Sequence, residues 1–221
     1  MDKRYAGILV DIDGTLVDSN DAHASAWVDA FAAHGRDVPF ARVRPLIGKG
    51  GDKVLAELAG LDEESAEGKA ISDTRKALFK RDYVPGLRQT PGADRLIRWM
   101  LDAQLRVVVA TSAKEDELRD LLEVCDGLAL LADATSSDDA ERSKPDPDII
   151  VAAMKTSELP ADRLLMLGDT PYDVEAASRA GVATVALRCG GWPDERLGGA
   201  IAIYDHPAHL LDALSTSPFN A

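Results

Sequence analysis

Near its amino terminus the chain reads Ile8-Leu9-Val10-Asp11-Ile12-Asp13-Gly14-Thr15-Leu16. The continuous apolar run at its start predicts a strand that is buried on both faces. Asp11 and Asp13 are two residues apart, so their carboxylates project to the same side of an extended backbone. Two such carboxylates repel each other unless a cation or a shared proton offsets their charge. The stretch therefore predicts a buried strand that ends at a ligand site, where Gly14 permits a tight turn or a close approach to backbone.

Comparable apolar runs recur along the chain and alternate with helical patterns. The predicted strands after the first are Val107–Ala110, Leu128–Leu131, Leu164–Leu167, Ala183–Leu187 and Ile201–Ile203. The predicted helices between them are Asp94–Ala103, Glu115–Val124, Pro147–Thr156 and Asp173–Ala180. This alternation predicts an α/β fold with a doubly wound, Rossmann-like parallel sheet and helices on both faces.

One segment, from Asp18 to Leu87, breaks the alternation. It carries helical patterns but no convincing strand, and the patterns lie at Asn20–His34, Val54–Ala59 and Ala66–Arg81. We therefore expect an α-helical cap domain at residues 18–87, inserted after the first strand. The catalytic core is then expected to consist of residues 1–17 and 88–221.

Composition excludes several classes of partner. The 221 residues carry a net charge of −13, which argues against nucleic acid and anionic membranes because both need a basic surface. No apolar run approaches the ~20 residues of a membrane span, and the amino terminus does not resemble a signal peptide. Cys125 and Cys189 match no metal-binding spacing, so we expect a reducing, cytoplasmic location without disulfides. A monomer or a weak dimer is expected.

The second strand and a later loop carry groups suited to a phosphate. Thr111 and Ser112 follow the second strand and precede a helix, where hydroxyl and free N–H groups can bind an anion. Lys144 lies in a loop that Pro145 and Pro147 stiffen, so its ammonium has a fixed direction. Such an ammonium can hold a nucleophile and a phosphate together.

Asp169 and Asp173 add two carboxylates at the end of the fourth strand. With the first strand they form an oxygen-rich site of the kind that Mg²⁺ prefers. Each motif alone has an ordinary explanation as a turn, a helix cap or a solvated lysine. Four such motifs in this order are improbable by accident, so we interpret them as one phosphate and metal site.

These motifs together resemble the haloacid dehalogenase superfamily of phosphohydrolases. The matching residues are the Asp11–Thr15 run, Thr111, Lys144, Asp169 and Asp173, and the resemblance covers nearly the whole chain, including the position of the cap. It implies an α/β core with a helical cap and the hydrolysis of a phosphorylated small molecule, of the phosphoglycolate or sugar phosphate type.

The resemblance also implies a role for each catalytic residue. Asp11 is expected to be the nucleophile that forms an aspartyl-phosphate, and Asp13 the general acid and later the base. Thr111 and Lys144 are expected to bind the transferring phosphoryl group, and further phosphate-binding candidates are Gly14 and Ser112.

A Mg²⁺ ion is the cofactor that the resemblance implies. Its expected ligands are Asp11, the backbone carbonyl of Asp13, and Asp169, with Asp173 as a direct or indirect partner. The presence of Asp13 argues against two other branches of the superfamily, since dehalogenases do not need this acid and phosphonatases lack it.

Two alternative functions stay open. A β-phosphoglucomutase-like phosphosugar mutase has the same core, and His23 and Trp27 resemble a His-x-x-x-Trp pattern found in such mutases and in related phosphatases. Mutases carry an arginine after the cap glycine, whereas this chain reads Ile47-Gly48-Lys49-Gly50-Gly51-Asp52-Lys53, which resembles phosphoglycolate phosphatases. His23 and Lys49 are candidate substrate-binding residues, and Lys53 could also reach a second anionic group.

The other alternative is a non-catalytic phosphate-binding protein, which would not need the complete set of motifs.

Overall fold

A single parallel sheet organises the protein. The computed structural model describes residues 4–125, 127, 130–131 and 133–220, and within these residues six strands lie in the order β3-β2-β1-β4-β5-β6. All pairings are parallel, and the strands are β1 (Gly7–Val10), β2 (Arg106–Ala110), β3 (Ala134–Thr135), β4 (Leu164–Gly168), β5 (Ala183–Leu187) and β6 (Ala202–Tyr204). This architecture confirms the predicted doubly wound α/β fold.

The third strand differs from the prediction. It lies at Ala134–Thr135 and pairs with Val109 and Ala110 of β2. Of the predicted run Leu128–Leu131, Leu128 and Ala129 lie outside the described residues, whereas Leu130 and Leu131 are not in a strand. Leu131 is buried in the core and Leu130 packs against it, so these two leucines are apolar because they pack in a connecting turn. A short apolar run cannot by itself distinguish this role from a buried strand.

Helices cover both faces of the sheet, as predicted. They are α5 (Ala93–Asp102), α6 (Glu115–Val124), α7 (Asp148–Ser157), α8 (Pro171–Arg179) and α9 (Pro207–Asp212). Successive strand residues point to opposite faces: Ile8 and Val10 belong to one apolar cluster, and Leu9 belongs to the other. The first cluster packs α5 and α6 against the sheet, and the second packs α7 and α8, so all four residues of β1 are buried.

Residues 20–86, called the helical insert below, separate β1 from α5. The insert contains α1 (Asn20–Ala33), α2 (Phe40–Val43), α3 (Gly51–Ala59) and α4 (Ala66–Leu78), followed by a π-helical turn at Phe79–Tyr83. It has an apolar cluster of its own, whose largest members include Trp27, Phe31, Leu55 and Ile71. Its separate core agrees with the predicted cap, although the division into domains stays a prediction.

The strand order brings the predicted motifs to one edge of the sheet. Asp11, Thr111 and Asp169 directly follow β1, β2 and β4, and these three strands are neighbours. Since the strands are parallel, their carboxyl ends meet at the same edge. Among the described residues, no helix combines the length and the apolarity that crossing a bilayer requires.

Candidate active site

Asp11 is anchored at the centre of this edge. Its backbone N–H donates to the carbonyl of Leu167 at 2.9 Å, which ties the end of β1 to β4. Its side chain is 7% exposed and borders a small cavity of about 50 Å³. The carboxylate is therefore held by the sheet and faces a space where a reacting group can bind.

Lys144 is buried and pairs with two carboxylates at once. Its Nζ donates to Asp11 Oδ1 at 2.6 Å, to Asp173 Oδ1 at 2.7 Å and to the carbonyl of Ala110 at 2.8 Å. These three acceptors use all three of its N–H donors. Burial by itself would lower the pKa of Lys144, but the charges of Asp11 and Asp173 outweigh burial and raise that pKa, so the side chain stays protonated.

Three buried carboxylates lie close enough to share one cation. Asp11, Asp169 and Asp173 each offer an oxygen, and these oxygens lie within 4.8 Å of one another. Burial, together with Asp173 and Asp169, raises the pKa of Asp11 well above its usual range, although Lys144 opposes this shift. Burial and the charge of Asp173 also raise the pKa of Asp169 to about 7. One lysine does not balance three carboxylates, so the cluster favours a divalent cation.

The oxygens of Asp169 are oriented by two donors from the first motif and α1. Thr15 Oγ1 donates to Oδ1 at 2.9 Å, and Asn20 Nδ2 donates to Oδ2 at 2.8 Å. Gly14 passes directly over this carboxylate with a φ of +74°, and a Cβ there would lie 2.2 Å from Asp169 Oδ2. Gly190 is equally close, since a Cβ there would lie 1.8 Å from the same oxygen. Only glycine leaves room for Asp169 at these positions.

Asp173 is oriented by a helix cap. Its second oxygen accepts hydrogen bonds from the backbone N–H of Thr170 at 3.0 Å and from Thr170 Oγ1 at 2.7 Å. Thr170 and Asp173 form a capping box at the start of α8. The helix start thus fixes one oxygen of Asp173 and leaves the other facing Lys144 and the carboxylate cluster.

Asp13 lies beside the carboxylate cluster and is held by α1. Ser19 Oγ donates to Asp13 Oδ1 at 2.5 Å, and His23 Nε2 lies 2.7 Å from the same oxygen. Burial alone would raise the pKa of Asp13, but His23, Ser19 and the charge of Arg75 together lower it below its ordinary value. Asp13 is absent from the set of side chains that could share a cation. Its predicted metal contact through the backbone carbonyl stays a prediction.

His23 receives its orientation from two residues of α4 and the following turn. Its ring stacks on Phe79 with centroids 3.9 Å apart. Arg75 Nη2 lies 3.3 Å from His23 Nδ1, and a guanidinium can only donate. This contact favours the tautomer in which Nδ1 accepts and Nε2–H donates to Asp13. Arg75 also pairs with Glu117 of α6, which joins the helical insert to the core.

Thr111 and Ser112 occupy the loop between β2 and α6. Thr111 is buried, and its Oγ1 accepts a hydrogen bond from the N–H of Ala113 at 3.1 Å. Ser112 Oγ donates to the carbonyl of Gly48 in the helical insert at 3.3 Å. Both residues line the small cavity together with Asp11 and Asp13. The hydroxyls predicted to bind phosphate therefore lie next to the predicted nucleophile.

Two adjoining cavities lie between the core and the helical insert. The catalytic cavity is the small one that contains Asp11 and Asp13. The second, called the groove below, has a volume of about 840 Å³. Both are lined by Trp27, Gly51, Arg75, Ser112 and Glu117, so the groove extends directly from the catalytic cavity.

The two lysines near the start of α3 point in different directions. Lys49 lines the catalytic cavity, but its ammonium lies 2.5 Å from Glu57 and 5.0 Å from the ring centroid of Tyr172. Lys53 points to the core, where it contacts Asp146 and the carbonyl of Ser143. The predicted role of Lys49 in substrate binding stays a prediction.

Sequence reasoning missed Asn20 and Arg75. Asn20 occupies the start of a helix, where a polar residue is most simply explained as a cap. Arg75 is one of several charged residues of α4, and although Ile71 and Phe79, one turn away on either side, put it on an apolar face, that position does not identify its partner. Both contact residues that are remote in sequence, so no local pattern could have identified them.

Comparisons with known proteins identify the family of this chain. The sequence profile of the haloacid dehalogenase-like hydrolase family matches residues 8–187. A phosphoglycolate phosphatase from Rhodospirillum rubrum is 31% identical over 220 residues, which cover 94% of this chain and 90% of that protein. An N-acetylmuramic acid 6-phosphate phosphatase from Pseudomonas aeruginosa is 27% identical, covering 96% of this chain and 95% of that protein.

A solved structure extends the similarity to three dimensions. The crystal structure of a hydrolase from Pseudomonas syringae matches with a TM-score of 0.87 at 29% sequence identity, covering 95% of this chain and 98% of that chain. The predicted class, a phosphoric monoester hydrolase, agrees with the names of the curated relatives. The chain belongs to the haloacid dehalogenase-like hydrolase family.

Proposed function

We propose that the protein is a Mg²⁺-dependent phosphatase that hydrolyses a phosphate monoester of a small metabolite through an aspartyl-phosphate on Asp11. The observation that carries this proposal is the bridge that Lys144 forms between Asp11 and Asp173, inside a buried cluster of carboxylates. A buried ammonium that contacts the nucleophile can also stabilise the charge of a transferring phosphoryl group. A merely structural lysine would not need a cavity next to its carboxylate partner.

The carboxylate cluster has the donor set that Mg²⁺ needs. Its three side chains offer hard oxygen ligands, and the pKa values of Asp11 and Asp169 are raised by burial and by the neighbouring carboxylates, whose repulsion a cation would relieve. Asp11, Asp169 and Asp173 would hold the ion, with the backbone carbonyl of Asp13 as a further ligand. When bound, Mg²⁺ supplies positive charge that offsets the repulsion between the Asp11 carboxylate and a phosphate dianion.

Asp11 and Lys144 account for the first chemical step. The Asp11 carboxylate attacks phosphorus, the bond to the alcohol oxygen breaks, and the phosphoryl group is now carried by Asp11. Lys144 keeps the carboxylate aimed at the cavity and stabilises the oxygens of the moving group. Phosphoryl transfer depends mainly on such positioning and charge stabilisation. Thr111 and Ser112, which line the same cavity, would donate to the remaining oxygens.

Asp13 supplies and removes the protons. In the resting protein its lowered pKa keeps it ionised, and an arriving phosphate dianion adds negative charge that raises its proton affinity. Asp13 then takes up a proton from solvent as the substrate binds and gives that proton to the oxygen of the leaving alcohol. The resulting carboxylate accepts a proton from the water that attacks the aspartyl-phosphate. His23 holds Asp13 in place during both steps.

We further propose that the helical insert is the predicted cap, which closes the site against water and selects the substrate. The names of the curated relatives support phosphoglycolate or sugar phosphates as the class of substrate. A cytoplasmic location, with no nucleic-acid or membrane partner, accompanies this proposal.

The test is phosphate release from a panel of phosphate monoesters, with Mg²⁺ and with EDTA. We expect release that requires both Mg²⁺ and Asp11, so Asp11→Asn should abolish it while circular dichroism shows an unchanged fold. Asp162→Asn is a suitable control because Asp162 is exposed and precedes β4, at the opposite edge of the sheet. Activity retained in Asp11→Asn would contradict the mechanism. Conversion of β-glucose 1-phosphate without phosphate release would favour the mutase.

A further inference from the structure

The groove is the part of the molecule that the proposed mechanism does not use. It adjoins the catalytic cavity and has a volume of about 840 Å³, which is within the range of small-molecule sites. An alcohol that leaves from a phosphate next to Asp11 would extend into it. The charged side chains that line the groove therefore limit which alcohol the substrate can carry.

Every cationic side chain that lines either cavity already has a carboxylate partner. Arg75, at the junction of the two cavities, pairs with the buried Glu117, so a ligand carboxylate that approached Arg75 would also meet Glu117. The pairs are Lys49 with Glu57, Arg75 with Glu117, Lys76 with Asp116, and Lys114 with Glu63. Among the described residues of the lining, no cation is left for a second anionic group.

Several acidic side chains of the groove have no cationic side chain as an ion-pair partner. They form no ion pair in the part of the chain that the structure describes, and they come from α3, α4, the turn before α4 and the loop before Lys144. These residues are Asp52, Asp62, Asp73, Asp138 and Glu141. The groove is consequently negative, whereas Lys144 and a bound cation would place the positive charge at the phosphoryl group.

We propose that the leaving alcohol carries no second anionic group, so that the substrate is a phosphate monoester of an uncharged polyol or of an amino alcohol. This inference rests on the proposed function and narrows its substrate class, because it excludes phosphoglycolate and keeps sugar phosphates without a second anionic group. A carboxylate or a second phosphate would enter the groove unpaired and be repelled by its acids. Hydroxyl groups can accept from and donate to the paired charged side chains, and an ammonium group would be attracted. The groove is also much larger than a two-carbon acid would need.

Esters of similar size that differ in the charge of one group on the leaving alcohol test this proposal. The short set is 2-phosphoglycolate, 2-hydroxyethyl phosphate and phosphoethanolamine, which carry an anionic, an uncharged and a cationic group. The longer pair is 6-phosphogluconate and sorbitol 6-phosphate. At low salt we expect kcat/KM to be about tenfold higher for the uncharged ester than for the anionic one in each set. Higher salt should reduce the difference, because it screens the charges of the open groove.

Charge-reversed variants test whether the groove is responsible. Asp73 and Glu141 are exposed residues of its lining without an ion pair. The double variant Asp73→Lys/Glu141→Lys should reduce the preference for sorbitol 6-phosphate over 6-phosphogluconate about tenfold. The matched control is Asp162→Lys/Asp212→Lys, which changes the net charge equally at exposed positions outside both cavities. It should leave the preference unchanged.

The outcomes separate this inference from the proposed function. Hydrolysis that requires Mg²⁺ and Asp11 but favours the anionic esters would overturn the inference and leave the phosphatase standing. An equal shift in the control variant would also overturn it, because overall charge would then be the cause. No hydrolysis of any ester would remove the proposed function, and the inference with it.

Discussion

Lys53 of the helical insert and Asp146 of the core form an ion pair beside the loop that carries Lys144. Lys53 Nζ lies 2.5 Å from Asp146 Oδ2 and 2.7 Å from the carbonyl of Ser143. Ser143 Oγ in turn donates to Asp52 Oδ1 at 2.6 Å. The first turn of α3 thus contacts the residues on both sides of Lys144, so the position of the helical insert and the aim of the catalytic lysine are linked.

Removal of the Lys53 ammonium should therefore impair catalysis. Lys53→Met removes the ion pair to Asp146 and the hydrogen bond to the Ser143 carbonyl, and a small displacement of Lys144 is expected to lower kcat by roughly 10- to 100-fold. The measurement is kcat and KM with Mg²⁺ saturating. Lys69→Met is the control, since Lys69 pairs with Glu64 inside the insert. Equal kcat values for the two variants would show that the contact does not position Lys144.

Loss of the Lys144 charge should damage both activity and stability. Lys144→Ala leaves the buried carboxylates of Asp11 and Asp173 unpaired, which costs about 3–5 kcal/mol in the free energy of unfolding. The rate should fall by about 10²- to 10³-fold, as for other groups that stabilise transition-state charge.

Mg²⁺ offers a check on the electrostatic cause of this instability. Because the ion would bind the same carboxylates, it should raise the melting temperature of Lys144→Ala more than that of the wild type. Lys155→Ala, at an exposed position of α7, is the control. A Lys144→Ala protein with wild-type kcat would contradict the assigned role.

Gly14 should tolerate no side chain, because it passes directly over Asp169. In Gly14→Ala the alanine would have to adopt a φ of +74°, and its Cβ would also lie 2.2 Å from Asp169 Oδ2. The substitution therefore strains the backbone and displaces the Asp169 carboxylate. Gly35 has nearly the same φ, +73°, but nothing within 4 Å of the added Cβ. Both alanine variants should lose about 1–2 kcal/mol of stability from backbone strain. Only Gly14→Ala should also weaken Mg²⁺ binding, as measured by calorimetry; equal affinities in the two variants would refute this explanation.

Mg²⁺ and protons should compete at Asp169. A carboxyl whose pKa is raised to about 7 in the folded state stabilises the metal-free protein at low pH. This contribution is complete below the unfolded pKa, about 3.9, and is lost as the pH rises through 7. Mg²⁺ binds the ionised form, so the rise in melting temperature on adding Mg²⁺ should be larger at pH 7.5 than at pH 5.5. Asp169→Asn should reduce this pH dependence, and Asp11, whose pKa is also raised, should account for what remains; a gain that is independent of pH in the wild type would contradict it.

Local patterns in the sequence determined the fold class and most of the site. Continuous apolar runs identified β1, β2, β4, β5 and β6 to within one residue at every end. For β1, β2, β4 and β5 the reason is that strands buried on both faces need apolar residues almost throughout, whereas β6 is only half-buried. Parallel strands also share one carboxyl edge, so the residues that follow them had to converge there. This is why the order of motifs along the chain was enough to assign Asp11, Thr111, Lys144, Asp169 and Asp173 to one site.

The tertiary structure alone decided what holds that site in place. Asn20 contacts Asp169 across 149 positions of sequence, and Lys53 contacts Asp146 across 93. A polar residue at a helix start or on a helix face looks the same whether it contacts water or a catalytic carboxylate, so its partner cannot be deduced locally. The third strand was misplaced for a related reason: a short apolar run satisfies burial equally well in a turn or in a strand. Hydrophobic periodicity predicts which residues of a helix or strand are buried. The packing of segments that are remote in sequence decides which residues they contact.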